Sequence, residues 1–391
     1  MFLGRTIDNN SKLIEAAFSM HQKGVVQPDS YIVDVDTLLQ NAKNILAEAN
    51  KNDIRLFFML KQIGRNPYIA RELVKIGYPG AVVVDFKEAQ VMMEAGIPIC
   101  NIGNLVQVPE AMIKEVIAYK PEVITVFSID KIKSINKVAK ELGQVQGIML
   151  RVFQEDDMLY PGQEAGFSLS EIAELVSTIK DQCQNVAIKG VTSFPCYQYD
   201  EKMNDILPTN NLKTVLSAVD ILKKCGIDCE IINTPSSTCV KTLRRMKEYG
   251  GNCGEPGHGF TGTIPMNGVY DMEEIPCVVY LSEVSHNFQG AGYCFGGGHY
   301  RRSHVKDVLV GKSLKESKKL EVILPPDDSI DYHLGISKPC KVGDTAVMAF
   351  RYQVFVTRSD VVLMRGIQSG NPEVIATYDS LGRKKWENDL L

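Results

Sequence analysis

A lysine closes the apolar run RLFFMLK at Lys61, and Gln62-Ile63-Gly64-Arg65-Asn66-Pro67 follows it. Burial disfavours the charged form of an amine and lowers its pKa, and a neutral amine can form a Schiff base. The plain alternative is a lysine that carries its charge from a strand end into solvent. A second concentration of chemistry is Gly254-Glu255-Pro256-Gly257-His258-Gly259-Phe260-Thr261-Gly262-Thr263. Its glycines leave backbone N–H groups open to an oxyanion, and the Thr261 and Thr263 hydroxyls add donors. A third is the hydroxyl-rich turn Asn233-Thr234-Pro235-Ser236-Ser237-Thr238. Either turn alone also reads as an ordinary strand-to-helix connection with capping hydroxyls.

These residues need a scaffold that gathers strand ends at one rim. From residue 30 to about 262, short β-branched runs alternate with amphipathic stretches, the pattern of βα units around a parallel sheet. After a leading segment at 31–36 and a helix at 39–49, eight candidate strands follow. They are 55–60, 81–84, 99–102, 123–127, 147–152, 187–192, 230–233 and 252–255. Helical patterns separate them. At 130–142, Ile132, Ile135, Val138 and Ala139 recur at helical spacing, and at 169–179 Ser168 and Glu171 form a capping box. Eight such units predict an α/β fold, a closed (β/α)8 TIM-type barrel whose working residues sit where strands end. Beyond Pro265 the runs become β-rich, at 277–284, 306–309, 320–324, 345–355 and 361–365. The expected domains are a helical extension at 1–27 with a helix over 11–23, the barrel at 28–265, and a C-terminal β domain at 266–391.

Composition narrows the function. With 43 Lys+Arg against 47 Asp+Glu and no basic block, the chain lacks the footprint of a nucleic-acid binder. No signal-like or membrane-spanning apolar run appears, so a soluble, cytoplasmic protein is expected. Ten cysteines with no CxxC pair read as reduced thiols and argue against zinc.

The lysine after the first barrel strand and the x-P-G-x-x-x-x-G loop after the eighth resemble the alanine-racemase-like, fold-type III pyridoxal-phosphate enzymes. The resemblance runs from YIVDVDTLLQNAKNI into the β domain. Segments FMLKQIGRNP, YPGQEAGF, GEPGHGFTGTIP and YCFGGGHYRR look closest to the YhfX-like branch. It implies that Lys61 holds pyridoxal 5′-phosphate as a Schiff base and moves the α-proton of an amino-acid substrate. It also implies that Gly257, His258, Ser236 and Ser237 serve the phosphate, with Thr261 nearby. His258 could add charge there or merely pack.

Glu255 takes the position that faces the pyridine nitrogen, where alanine racemases of the family carry arginine and the related basic-amino-acid decarboxylases carry glutamate. A carboxylate keeps that nitrogen protonated and makes the ring a strong electron sink. A glutamate that caps the loop's own amides is the plain alternative. Phe194 fills a position where the family commonly has a ring-facing histidine, or is simply core. The family's barrel arginine is missing where the chain reads Gln163-Glu164-Ala165-Gly166-Phe167, and Tyr160 or Gln163 is expected in its stead.

Racemisation needs a second acid/base on the opposite face of the substrate, which the family takes from a partner subunit, so a homodimer is implied. The candidate segment is Tyr293-Cys294-Phe295-Gly296-Gly297-Gly298-His299-Tyr300-Arg301-Arg302. Cys294, His299 or Tyr300 could exchange a proton there, Tyr300 first by analogy, and Arg301 or Arg302 could hold a carboxylate. The triple glycine equally suits a β-bulge. Asp327, Asp328 and Asp331 read as a solvated turn or as a selector for a cationic side chain. Metal-using members of the superfamily bind their ion through His and Cys in the second domain, and the matching stretch Arg351-Tyr352-Gln353-Val354-Phe355-Val356 has neither, so no metal is expected. The expected function is an amino-acid racemase; the alternatives are an amino-acid decarboxylase, which Glu255 would also serve, and a cofactor-binding protein with weak catalysis.

Overall fold

The computed structural model describes residues 2–387. The chain opens with α1 (Phe2–Gln22), β1 (Ser30–Asp34) and α2 (Val35–Lys51). The barrel elements follow: β2 (Arg55–Leu56), α3 (Pro67–Lys75), β3 (Ala81–Val83), α4 (Phe86–Glu94), β4 (Ile99–Ile102), α5 (Ile113–Ala118), β5 (Val123–Val126) and α6 (Ile129–Glu141). Then come β6 (Gln146–Phe153), β7 (Phe167–Ser168), α7 (Ile172–Gln182), β8 (Val186–Thr192), β9 (Tyr197–Asp200), β10 (Asp205–Pro208), α8 (Asn210–Lys224), β11 (Ile231–Asn233), α9 (Val240–Met246) and β12 (Cys253–Gly254). The short α10 (His258–Thr261) leads into β13 (Val278–Phe288), β14 (Ala291–Phe295), β15 (Asp307–Gly311), β16 (Lys318–Ile323), β17 (His333–Ile336), β18 (Thr345–Met348), β19 (Asp360–Arg365), β20 (Glu373–Tyr378) and β21 (Lys384–Glu387).

Two compact units result. One holds Ile45–Met59 and Ala70–Gly257; the other holds Met1–Asn44, Leu60–Ile69 and His258–Leu391. In the first, eight parallel strands run in the order β2-β12-β11-β8-β6-β5-β4-β3, and a parallel bridge between Phe58 and Ala81 joins the two ends of that row. This is the expected TIM-type barrel. Strands such as VITV and ICNI are buried on both faces, which is why they read as unbroken apolar runs. The covering helices bury one stripe each: α6 turns Ile132, Ile135 and Ala139 inward, and Ser128 caps its start by accepting from the Lys131 N–H. The Ser168–Glu171 capping box is present ahead of α7. A hairpin of β9 and β10 after the sixth barrel strand is an addition the periodicity did not show.

In the second unit ten strands form a sheet in the order β14-β17-β16-β15-β18-β13-β1-β19-β20-β21. The domain limits expected at 27/28 and 265/266 follow chain order, whereas the compact units do not. The leading segment at 31–36 lies in β1, which pairs antiparallel with β13 and parallel with β19. Its five residues are all buried, a pattern that suits the interior of either sheet. Helix α1 packs Leu13, Ile14 and Phe18 against Ile32, Val279 and Val347 of this sheet. It begins nine residues before the expected Ser11 and kinks at Asn10, whose side-chain oxygen accepts from the Leu13 N–H and caps the second half. The strand expected over 345–355 ends at Met348, and residues 354–356 form a 3-10 turn.

Candidate active site

Glu255 directly follows the last barrel strand and is 7% exposed. Its Oε1 accepts from Asn233 Nδ2 at 2.8 Å and Asn101 Nδ2 at 3.1 Å, and its Oε2 accepts from Asn104 Nδ2 at 3.5 Å. Asn101 lies one residue before the end of the third barrel strand and Asn233 ends the seventh, so the clamp is built at strand ends around the ring. Thr125 fixes the Asn101 amide by donating to its Oδ1 at 2.7 Å, and Asn233 also donates to the Thr192 hydroxyl at 3.1 Å. Amide donors suit an ionised carboxylate, which can accept at both oxygens. The sequence points to neither Asn101 nor Asn104, and to Asn233 only as the first residue of the hydroxyl-rich turn. The signal was the one used for Lys61, a polar side chain that closes an apolar strand.

The seventh-strand turn bends sharply. Ser236 and Ser237 both have positive φ, 97° and 48°, in the region L residues rarely enter. Among the described residues, the N–H groups of Ser236, Ser237 and Gly257 meet no protein acceptor. Successive amides in such a conformation form an anion-binding concavity. Thr238 ties the turn to the last strand, its hydroxyl accepting from the Glu255 N–H at 3.2 Å. Phe194 lies with its ring 5.8 Å from that of Tyr160.

In the second unit, Lys61 opens a 3-10 turn, Lys61–Ile63, that ends in left-handed Gly64. The turn is braced by the Arg65 guanidinium, 5.2 Å above the Phe355 ring. Lys61 follows the strand whose Met59 N–H donates to the Pro256 carbonyl, one residue beyond Glu255. His258 is held at Nδ1 by the Thr263 hydroxyl, 2.8 Å away, and at Nε2 by Gln353, 3.3 Å away. Burial pulls its pKa well below the ordinary histidine value, and the charges of Arg351 and Lys61 push the same way. Burial thus favours the neutral ring. Thr261 differs from the open donor expected: it is 1% exposed and its hydroxyl bonds within the loop, to the His258 carbonyl and to Thr263.

The segment 293–302 splits the candidates for a second acid/base. Cys294 is fully buried in β14, and burial pushes its thiol up to about 12, which leaves it protonated and unsuited to exchange. His299 Nδ1 lies 3.2 Å from Asp331 Oδ2, and Arg301 Nη2 lies 3.4 Å from Asp331 Oδ1. Burial lowers the His299 pKa and Asp331 opposes that shift. Asp331 is 6% exposed, so it is a partner of His299 rather than part of a solvated turn. Gly297 is needed for close approach: a Cβ there would overlap the Asp29 carboxylate and the Ser359 hydroxyl. Tyr300 follows, partly exposed, and its carbonyl accepts from the Ser303 N–H.

Residues 33–265 match the family described as alanine racemase, N-terminal domain, and residues 279–374 match YhfX-like, C-terminal domain. The chain belongs to the alanine-racemase-like family of pyridoxal-phosphate enzymes. A protein of Escherichia coli (strain K12), described as uncharacterized protein YhfX, is 43% identical over 386 residues, 98% of this chain and 99% of its own length. Solved structures share the fold at low identity. D-threo-3-hydroxyaspartate dehydratase from Delftia sp. HT23 has a TM-score of 0.68 at 13% identity, covering 92% of this chain and 98% of its own. Alanine racemase from Clostridium difficile 630, in complex with cycloserine, has 0.63 at 18%, covering 90% and 98%. D-threonine aldolase from Filomicrobium marinum has 0.65 at 15%, covering 92% and 96%.

The residues fit the family's cofactor. Within the barrel unit, its ring nitrogen needs an acceptor such as the clamped Glu255, and its phosphate needs open amides such as those of Ser236, Ser237 and Gly257. Among the described residues no group of three or more His, Cys, Asp or Glu could hold a metal ion. No described helix is long and apolar enough to cross a membrane.

Proposed function

We propose that this protein is a pyridoxal-phosphate-dependent amino-acid racemase. The observation that carries the reading is the buried Glu255 carboxylate and its three asparagine donors, an acceptor arranged to keep a heterocyclic nitrogen protonated. The bound cofactor supplies an electron sink for charge that develops at the substrate Cα. Lys61 holds the cofactor at rest and moves the Cα proton on one face. Tyr300 from a second copy of the chain serves the opposite face, with His299 beside it oriented by Asp331. Ser236, Ser237 and Gly257 would hold the phosphate through their amides, and Phe194 would offer the ring an aromatic face.

The homodimer is part of this proposal, since a lone barrel rim leaves the proton-returning side to water. Phe288, Phe295, Ile323, Ile330 and Tyr332 are exposed on the strands and turns around the 293–302 segment, an apolar surface suited to a second copy. Arg351–Val356 offers no His or Cys, which favours proton transfer at Cα over the metal-assisted reactions of the superfamily.

The test is a panel of L- and D-amino acids incubated in deuterium oxide with the holoenzyme. Racemisation places deuterium at Cα of an otherwise unchanged amino acid and inverts its configuration, and Lys61→Ala abolishes both. Loss of carbon dioxide would establish decarboxylation instead, the reading Glu255 also serves. No exchange across the panel would refute the racemase.

A further inference from the structure

His286 and His333 belong to the second unit's sheet and come from the two strands that flank β14. His286 on β13 lies opposite Tyr293, and His333 on β17 lies opposite Phe295. Both therefore stand on the face turned away from the buried Cys294 and Leu334. Strands two places apart are separated by roughly 9.5 Å. The two imidazole centres are nonetheless 4.9 Å apart, with their planes at 88°. Tyr293 stacks on His286 at 4.9 Å and 3°, and the Phe295 ring lies 6.0 Å from His333, so an aromatic face supports each ring. Gly335, opposite Tyr293 on β17, adds no side chain between them.

The buried histidines use their nitrogens inside the protein: His21 on Thr345 and Glu283, His258 on Thr263 and Gln353, His299 on Asp331. In the pair, His286 Nδ1 meets the Ser285 hydroxyl at 2.8 Å, and among the described residues the other ring nitrogens have no protein partner. An Nδ1–H donating to that hydroxyl fixes the tautomer and leaves the Nε2 lone pair to a ligand. Burial, and then the charge of His286, lower the His333 pKa, which favours the neutral ring that a metal requires. With metal–nitrogen bonds of about 2.0–2.1 Å, two imidazoles on one ion have centres roughly 4.5 Å apart on adjacent square-planar positions and about 5.2 Å apart on tetrahedral ones. The observed 4.9 Å lies between the two.

We propose that His286 and His333 form a chelating pair for one divalent transition-metal ion per chain, of the zinc, nickel or copper class, with water completing its coordination. Imidazole nitrogen suits these ions, whereas magnesium and calcium demand oxygen. Two protein ligands fall short of the three or four that hold a catalytic or structural zinc, so the ion exchanges with solution.

The test titrates untagged holoenzyme, freed of excess cofactor, with zinc chloride and with nickel chloride by calorimetry. Wild type is expected to bind one ion per chain with a micromolar Kd, and zinc to raise its melting temperature. His286→Gln and His333→Gln each weaken binding at least tenfold, while His304→Asn, at an exposed histidine outside the pair, stays within twofold of wild type. Should the half-buried His333 variant fail to fold, His286→Gln decides alone, its fold checked by its melting temperature without metal. No saturable binding in wild type, or affinity within twofold of wild type in both glutamine variants, would show two rings that only pack edge to face. Either result would overturn the site and leave the proposed function standing. Displacement of zinc by an equal concentration of magnesium would overturn it as well.

Discussion

Replacing Asn101 by leucine removes one strand of the Glu255 clamp at nearly constant side-chain size. Asn101 is fully buried, donates to Glu255 Oε1 at 3.1 Å and accepts from Thr125 Oγ1 at 2.7 Å. A hydrogen bond to a charged group contributes about 1.5–3 kcal/mol and a neutral one about 0.5–1.5 kcal/mol. Leucine regains roughly 1 kcal/mol through apolar burial, so the expected net loss is about 1–3.5 kcal/mol. In a domain of this size that lowers the melting temperature by roughly 2–14 °C. Thr125→Val gives up the neutral bond alone and is expected to cost about 1 kcal/mol. Thermal unfolding of the cofactor-free proteins compares the two. If Asn101→Leu proves no more destabilised than Thr125→Val, the carboxylate does not depend on its asparagine donors and the clamp is incidental.

Two further outcomes follow from the geometry. Gly297→Ala forces a methyl group into Asp29 and Ser359, so overpacking of about 1–3 kcal/mol is expected, together with displacement of the segment that carries His299 and Tyr300. An unchanged melting temperature would show that the segment has room there. His258 has a folded pKa below its unfolded value of about 6.5, so its neutral ring contributes fully above that pH. The contribution is lost as pH falls from the unfolded value toward the folded one, by at most about 1.4 kcal/mol per pH unit. Melting temperatures between pH 7 and pH 5 should therefore fall more steeply in wild type than in His258→Gln; parallel slopes would contradict the burial argument.

The barrel was legible because parallel strands covered on both faces read as short apolar runs, and the polar residues that end them, Lys61 and Glu255, stand out against those runs. The same logic would have found Asn101 and Asn233, but a single polar residue at a strand end does not reveal that three such side chains converge on one carboxylate. The sheet that owns β1 was not legible, because a fully buried run carries no mark of its partners. Strands β14 and β17 contain glycine and lie outside the β-rich runs read from the sequence. Asp331 shows how composition misleads: Asp327 of the same acidic cluster is exposed, as the turn reading requires, while Asp331 points inward to His299 and Arg301.

The account depends above all on Lys61 as the amine that carries the cofactor. Reduction of the holoenzyme with borohydride, followed by proteolysis and mass spectrometry, locates that attachment directly. The account predicts a phosphopyridoxyl group on Lys61 and its loss in Lys61→Ala. A label on another lysine, or an unmodified Lys61 in protein that has bound the cofactor, would contradict it.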